Sequence, residues 1–233
     1  MNPEWIIPDW PAPPSVRALV TTRSGQDDDP QAAAIGRQHL RQEIPGLPAD
    51  PLWLNQVHGI EVQAAENVRH GVKPVADACA AHTPGLVCAV RTADCLPLLL
   101  CDRDGTSVAA AHAGWRGLAA GVIEASVSAM QAEPARLLAW MGPAIGPAAF
   151  EVGDEVRSIF CQHDPRAAEA FAAHRPGKWL CNLYQLARQR LAALGVHQVS
   201  GGEWCTFSDP QRFYSYRRDG STGHMASLIW LQE

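Results

Sequence analysis

The chain has 233 residues, of which 47% are hydrophobic and 18% charged, with a formal net charge of −5. Such a length buries a substantial core and such a composition suits a compact layered globule, which excludes a disordered chain. The acidic balance, with no basic run, argues against a nucleic-acid partner, and no apolar stretch reaches the roughly 20 residues of a membrane span.

The start, Met1-Asn2-Pro3-Glu4-Trp5, lacks the basic and apolar regions of an export signal, so a cytoplasmic location is expected. Val16–Thr22 reads as a short strand after a Pro-rich opening. A helix is predicted from Pro30 towards Glu43, with Asp28 or Asp29 as its cap. Pro45 and Pro48 then break the chain before Leu52–His58, a second strand candidate. Strand signals are densest at Leu86–Val90, Pro97–Cys101 and Ser107–Ala111, with Asp102–Gly105 as a turn. Gly117–Met130 follows as a helix, Leu137–Met141 as a strand, and Val152–Phe160 and Leu183–Leu194 as helices, the last stopped by Gly195. Val196–Gly201, Trp204–Phe207 and Met225–Leu231 return to strand. Hairpins in the middle and alternation later predict an α/β fold of α/β/α layers: a single domain over residues 1–233, with a mixed sheet and helices on both faces.

The cysteines are Cys79, Cys88, Cys95, Cys101, Cys161, Cys181 and Cys205, an odd number without a C-x-x-C pair, which argues against a disulfide framework. Most read as small core residues. Cys95 is set apart by its context. Three strings, Asn55-Gln56-Val57-His58-Gly59, Thr92-Ala93-Asp94-Cys95-Leu96-Pro97 and Ala111-His112-Ala113-Gly114-Trp115-Arg116-Gly117, each end an apolar strand and each supply one ligand. Two imidazoles and a thiolate suit zinc and leave a fourth position open, as a catalytic site requires. Equally, a His at a strand end is often just hydrogen-bonded, and a Cys often plain core.

The third string places Gly114 and Gly117 around Arg116 at the expected start of a helix. Such a turn either cradles an anion, with Arg116 as its clamp, or is an ordinary Gly-containing turn. Asp94 either orients a ligand or makes an Asx turn. Met141–Pro147 is a tight Gly/Pro loop that either lines a pocket or is a structural turn, and Tyr214–Gly220 carries aromatic and cationic groups that suit stacking on a base or belong to an ordinary solvated loop.

Taken in order, these strings resemble the YfiH family of laccase-domain, or polyphenol-oxidase-like, proteins. The resemblance runs from Thr21-Thr22-Arg23 through the three strings, Gly142–Gly146 and Phe150-Glu151-Val152-Gly153 to Tyr216-Arg217-Arg218-Asp219-Gly220 and Ser227–Leu231. It implies one metal held by His58, Cys95 and His112, with zinc (Zn2+) expected and copper (Cu2+) the alternative. The chain departs from the family where Arg23-Ser24-Gly25-Gln26 runs almost directly into Asp27, without the usual Ser-Leu-Asn-Leu-Gly segment, and where Gly36-Arg37 replaces Asn-Arg.

The resemblance implies purine nucleoside phosphorolysis with accompanying adenosine deamination. His58, Cys95, His112 and Arg116 are then the catalytic candidates. Arg23, Gln56, Asp94, Gly114, Gly117 and Arg217 are the substrate-binding candidates. The expected partners are a small-molecule nucleoside and phosphate, with the chain a monomer or weak homodimer. Copper-dependent phenol oxidation is the second reading. Full reduction of dioxygen needs a copper cluster rich in H-x-H pairs, and this chain has nine histidines but no H-x-H. A third reading is a thiol hydrolase, with Cys95 as nucleophile and His112 as base, linked to editing of cell-wall precursors.

Overall fold

The computed structural model of the chain describes residues 5–23, 40, 44–69, 71–220 and 223–232. Apart from Arg23 and Leu40, the expected helix from Pro30 with its Asp28 or Asp29 cap, the shortened loop after Arg23 and the Gly36-Arg37 pair lie outside these residues.

The strand β5 (Leu96–Asp102) is buried at every position. A strand can be so only where both faces of its sheet are covered, and alternate side chains then enter different cores. Leu96, Leu98 and Leu100 enter one core, and Leu99 and Cys101 the other. The same alternation holds for β6 (Val108–Ala113), where Ala109 and Ala111 oppose Val108 and Ala110, and for β7 (Leu137–Met141), where Ala139 opposes Leu138 and Trp140. These strands form the middle of a six-stranded mixed sheet. Its edges are β11 (Gln198–Gly201), parallel to β7, and the pair β3 (Ala78–Ala81) and β2 (Val62–Ala64), parallel to each other.

One face of this sheet packs under helices α1 (Trp115–Ala120), α2 (Val122–Ala129) and α4 (Leu183–Ala193), through Leu118, Ile123, Val127, Leu186 and Leu191. The other face packs against a second, three-stranded antiparallel sheet of β1 (Val16–Val20), β12 (Met225–Leu231) and β4 (Val87–Thr92), through Val20, Cys88, Val90 and Ile229. The outer face of that second sheet is apolar too, and Leu19, Val87, Ala89 and Leu228 meet Leu40, Ile44 and Leu47. The mixed α/β architecture matches expectation. Where helices were expected on both faces of one sheet, a second sheet covers one face, because β4 and β12 are apolar on both sides and fit between layers. A small third sheet joins β8 (Glu151–Gly153), β10 (Lys178–Cys181) and β9 (Phe171–Arg175), flanked by α3 (Asp154–His163).

Several expected elements differ. Leu52–His58 forms no strand and makes only isolated bridges, Leu52 to Cys88 and Asn55 to Val75, because the N–H groups of Val57, His58 and Gly59 go to a carboxylate and not to a ladder. The helix expected over Gly117–Met130 begins at Trp115 and is broken at Gly121, whose φ of 112° closes α1 and opens α2. The expected helix at Val152 starts at Asp154, since Glu151–Gly153 pairs with β10. Trp204–Phe207 forms no strand; the Thr206 N–H bonds the Ala144 carbonyl at 3.0 Å and its hydroxyl bonds Asp94. No described helix is long and apolar enough to cross a membrane.

Candidate metal centre and adjoining cavity

His112 stands near the end of β6, opposite Pro97 of β5 in the antiparallel register. Cys95 occupies the turn between β4 and β5, and His58 the extended segment before β2. Their ligand atoms all lie within 4.8 Å of one another, and among the described residues this is the one His, Cys, Asp and Glu group placed to hold a metal ion. Cys95 Sγ lies 3.8 Å from His58 Nε2. Tetrahedral zinc with ordinary bond lengths to sulfur and nitrogen sets that edge at about 3.6 Å, so the donor set fits zinc in both chemistry and spacing.

The ring of His112 is buried, and its Nδ1 lies 2.8 Å from Asp77 Oδ1. That bond leaves Nε2 to face the cluster, as a carboxylate behind a ligating histidine does. Asp77 is itself fully buried, and its oxygens also accept the N–H groups of Val57, His58 and Gly59 at 3.1, 2.9 and 2.6 Å. One carboxylate thus aims His112 and holds the loop of His58, whose φ of 61° lies in the left-handed region. Burial pushes the Asp77 carboxyl up, but His112 and these backbone donors outweigh it and hold it below the usual range.

The same balance acts on the ligands. Burial would raise the Cys95 thiol, yet His112 and His58 bring it down to about 7. Burial would favour a neutral His112, yet Asp77 and then Cys95 raise it to about 9. Without an ion the two groups tend towards a thiolate and imidazolium pair, which is the charge state that a bound cation replaces.

The cluster opens onto a cavity of about 630 Å3, within the range of small-molecule sites. Of the residues singled out in the sequence, His58, Cys95, His112, Arg116, Gln56, Asp94 and Arg217 line it. Arg116 is exposed with its guanidinium 4.4 Å over the Trp115 ring. Gln56 spends its amide on the Arg91 backbone, donating to the carbonyl and accepting the N–H, both at 2.8 Å. Gly114 and Gly117 lie behind the cavity. A Cβ on Gly114 would stand 2.8 Å from Cys95 Sγ and 3.1 Å from the His58 ring, and one on Gly117 would stand 2.8 Å from the Gly59 carbonyl. Both glycines therefore make room for the ligands. Gly117 sits inside α1 and not at its start.

Arg23 does not line the cavity. Its guanidinium lies 5.3 Å over Tyr214 and 3.6 Å from Asp219. The cavity also takes in Tyr216, from the string expected to suit stacking on a base, and Phe150, Leu183 and His224, which sequence reading did not single out for chemistry. Asp77 was missed as well. Its only signal is an acid set in an apolar run, Val75-Ala76-Asp77-Ala78-Cys79, where a buried charge must find partners.

A layered α/β protein with a His/Cys/His cluster at the mouth of a cavity is the class that fold and site define. The family described as "Multi-copper polyphenol oxidoreductase laccase" matches residues 18–232. A purine nucleoside phosphorylase of Pseudomonas aeruginosa is 51% identical, with 98% of this chain and 99% of that protein covered. The purine nucleoside phosphorylase YfiH of Escherichia coli is 49% identical, covering 97% and 98%. A crystal structure of a Neisseria meningitidis protein superposes with a TM-score of 0.92 at 44% identity, over 99% of this chain and all of that one. The chain belongs to the laccase-domain, or YfiH, family.

Proposed function

We propose that this chain is a zinc-dependent purine nucleoside phosphorylase that also deaminates adenosine. The observation that carries this reading is that His58, Cys95 and His112 face the same cavity as Arg116 and Arg217, so a metal centre and two guanidinium groups meet around one small-molecule site. The shared name of the relatives supports it.

In phosphorolysis an oxygen of phosphate bonds to the ribose C1′ as the bond from C1′ to the purine nitrogen breaks. The electron pair leaves with the base, which takes up a proton. Arg116 is the group for the phosphate, since a guanidinium matches its oxygens in two parallel hydrogen bonds. Phe150, Tyr216 and Arg217 offer apolar and cationic faces for the purine. His58, Cys95 and His112 would hold zinc, which when bound would supply Lewis-acid chemistry for charge that develops as a bond breaks and for activation of water in deamination. Asp77 keeps His112 in the ligating orientation, and the walls align the reactants, which is where much of the rate in such a displacement originates.

The copper reading keeps one observation in its favour, the description of the matching family. Multi-electron reduction of dioxygen needs several coppers, and the described residues offer one three-ligand group, so copper here supports at most weak oxidation. The thiol-hydrolase reading uses the Cys95 and His112 pair without metal.

The test is metal analysis of the purified chain coupled to adenosine turnover with and without phosphate, resolving adenine, inosine and hypoxanthine. Adenine formed only with phosphate, inosine formed without it, and loss of both on chelation are expected. No purine product above a Cys95→Ala control overturns the assignment, and activity that persists in chelator points to the thiol chemistry.

A further inference from the structure

Asp94 is buried beside Cys95, yet its carboxylate hydrogen bonds lead away from the metal ligands. It accepts from Thr206 Oγ1 at 2.6 Å, from Ser215 Oγ at 3.0 Å and from the backbone N–H of Arg217 at 2.7 Å. An Asx turn would close on the next few residues; these bonds instead reach 112, 121 and 123 positions along the chain. The Asp94 carbonyl adds a bond from the Ile145 N–H at 2.9 Å. One residue thereby ties the turn of Cys95 to the loop after β7 and to the start of α5 (Tyr216–Asp219), whose cap is Ser215.

Each of these segments supplies a wall of the cavity: Cys95, Ile145, and Tyr216 with Arg217. The Arg217 side chain is also fixed at its far end, where Nη1 donates to the Glu151 carbonyl at 3.0 Å and the guanidinium lies 5.4 Å over Phe150. Asp94 has a φ of 92°, a conformation that costs free energy in any residue with a side chain and persists only where surrounding bonds enforce it. A buried carboxylate needs such donors, and here hydroxyls and a backbone N–H provide them.

We propose that Asp94 is a positioning residue that holds the wall carrying Tyr216 and Arg217 at its working distance from the metal ligands, and so sets affinity for the nucleoside. This rests on the cavity being a nucleoside site. Asparagine keeps the size and tolerates the positive φ, but its NH2 cannot accept the bonds that one carboxylate oxygen now takes.

The experiment compares the zinc-loaded wild-type chain with Asp94→Asn and Ser215→Ala, by kcat and KM for adenosine at saturating phosphate, zinc content, and amide hydrogen exchange over residues 205–219. Asp94→Asn is expected to raise KM about tenfold, with the smaller part of the loss in kcat and zinc content unchanged, and to speed exchange at Arg217. Ser215→Ala, which leaves Asp94 in place, raises KM in the same direction by less. It carries the test alone if Asp94→Asn does not fold. Unchanged KM, or zinc lost while KM holds, overturns the proposal. If the wild type itself makes no purine product, the proposed function fails separately, and exchange at Arg217 still decides whether Asp94 anchors the wall: unaltered exchange overturns it.

Discussion

Asp77 carries obligations to two ligands at once. It fixes the tautomer of His112 and supplies the acceptors for three consecutive N–H groups around His58, a segment with no sheet partner of its own at those positions. Asp77→Asn retains one acceptor oxygen but turns an NH2 towards backbone donors. It is expected to weaken zinc binding by about 10–100-fold, and to lower unfolding free energy by about 1–3 kcal/mol. Competition with a chromogenic chelator and urea titration measure the two losses. Wild-type zinc affinity in this variant would reduce Asp77 to a packing role. The three candidate ligands, which the structure brings together, were singled out in the sequence because each interrupts an apolar strand end with a residue that packing does not demand. Asp77 was not, since the partners of its carboxylate are 18 or more positions away and nothing local marks it.

At the scale of elements, the hairpin of β5 and β6 sets the register that places His112 opposite Pro97. A slip of one residue would turn His112 to the opposite face of the sheet, away from Cys95. The turn that holds this register is governed by Asp102, which is buried and accepts the N–H groups of Thr106 and Ser107, both at 2.7 Å, and the Thr106 hydroxyl at 2.9 Å. Burial pushes the Asp102 carboxyl up, but the donors of Ser107, Thr106 and Asp104 outweigh it, so folding lowers its pKa. Its contribution is therefore complete above the unfolded value and is lost as pH falls through the folded one. Asp102→Asn is expected to cost about 1–3 kcal/mol near neutral pH, with the gap to wild type closing below about pH 4. Urea titrations on both sides of that pH check the sign, and a gap that widens in acid would contradict it. The turn itself was readable from Asp102–Gly105. The fate of Trp204–Phe207 was not, because a local apolar run cannot reveal that Thr206 bonds Asp94 and Ala144.

At the scale of the molecule, the layers follow from strands that are apolar on both faces. The runs of β5, β6 and β7 made a covered central sheet legible. The second sheet was hidden because its central strand, β12, pairs with β1 near the N-terminus and with β4 in the first half of the chain, as in Val16 with Leu231 and Thr92 with Met225. The candidate metal cluster also draws on separate elements, joining an irregular segment, a turn and a strand end. An ion bound there would add a direct link between three places already joined by Asp77 and the ladder of β5 and β6, and a ligand bound to the folded state alone stabilises it by mass action. Chelation is expected to lower the melting temperature of wild type by several degrees, about what 1–3 kcal/mol gives at this size, and to leave His58→Ala unmoved. Calorimetry with and without chelator reads the difference; equal shifts in both proteins would mean that the ion sits elsewhere.

The division of the cysteines between layers has a consequence for chemical durability. Cys79, Cys88, Cys101 and Cys181 are buried, while Cys95, Cys161 and Cys205 reach the surface in part. Burial drives the thiols of Cys101 and Cys181 up to about 12, so neither ionises under physiological conditions. Peroxide attacks thiolates, and Cys95 is the thiol that its neighbours draw towards that form. Oxidation by peroxide is thus expected first at Cys95, and a metal held there would shield that sulfur.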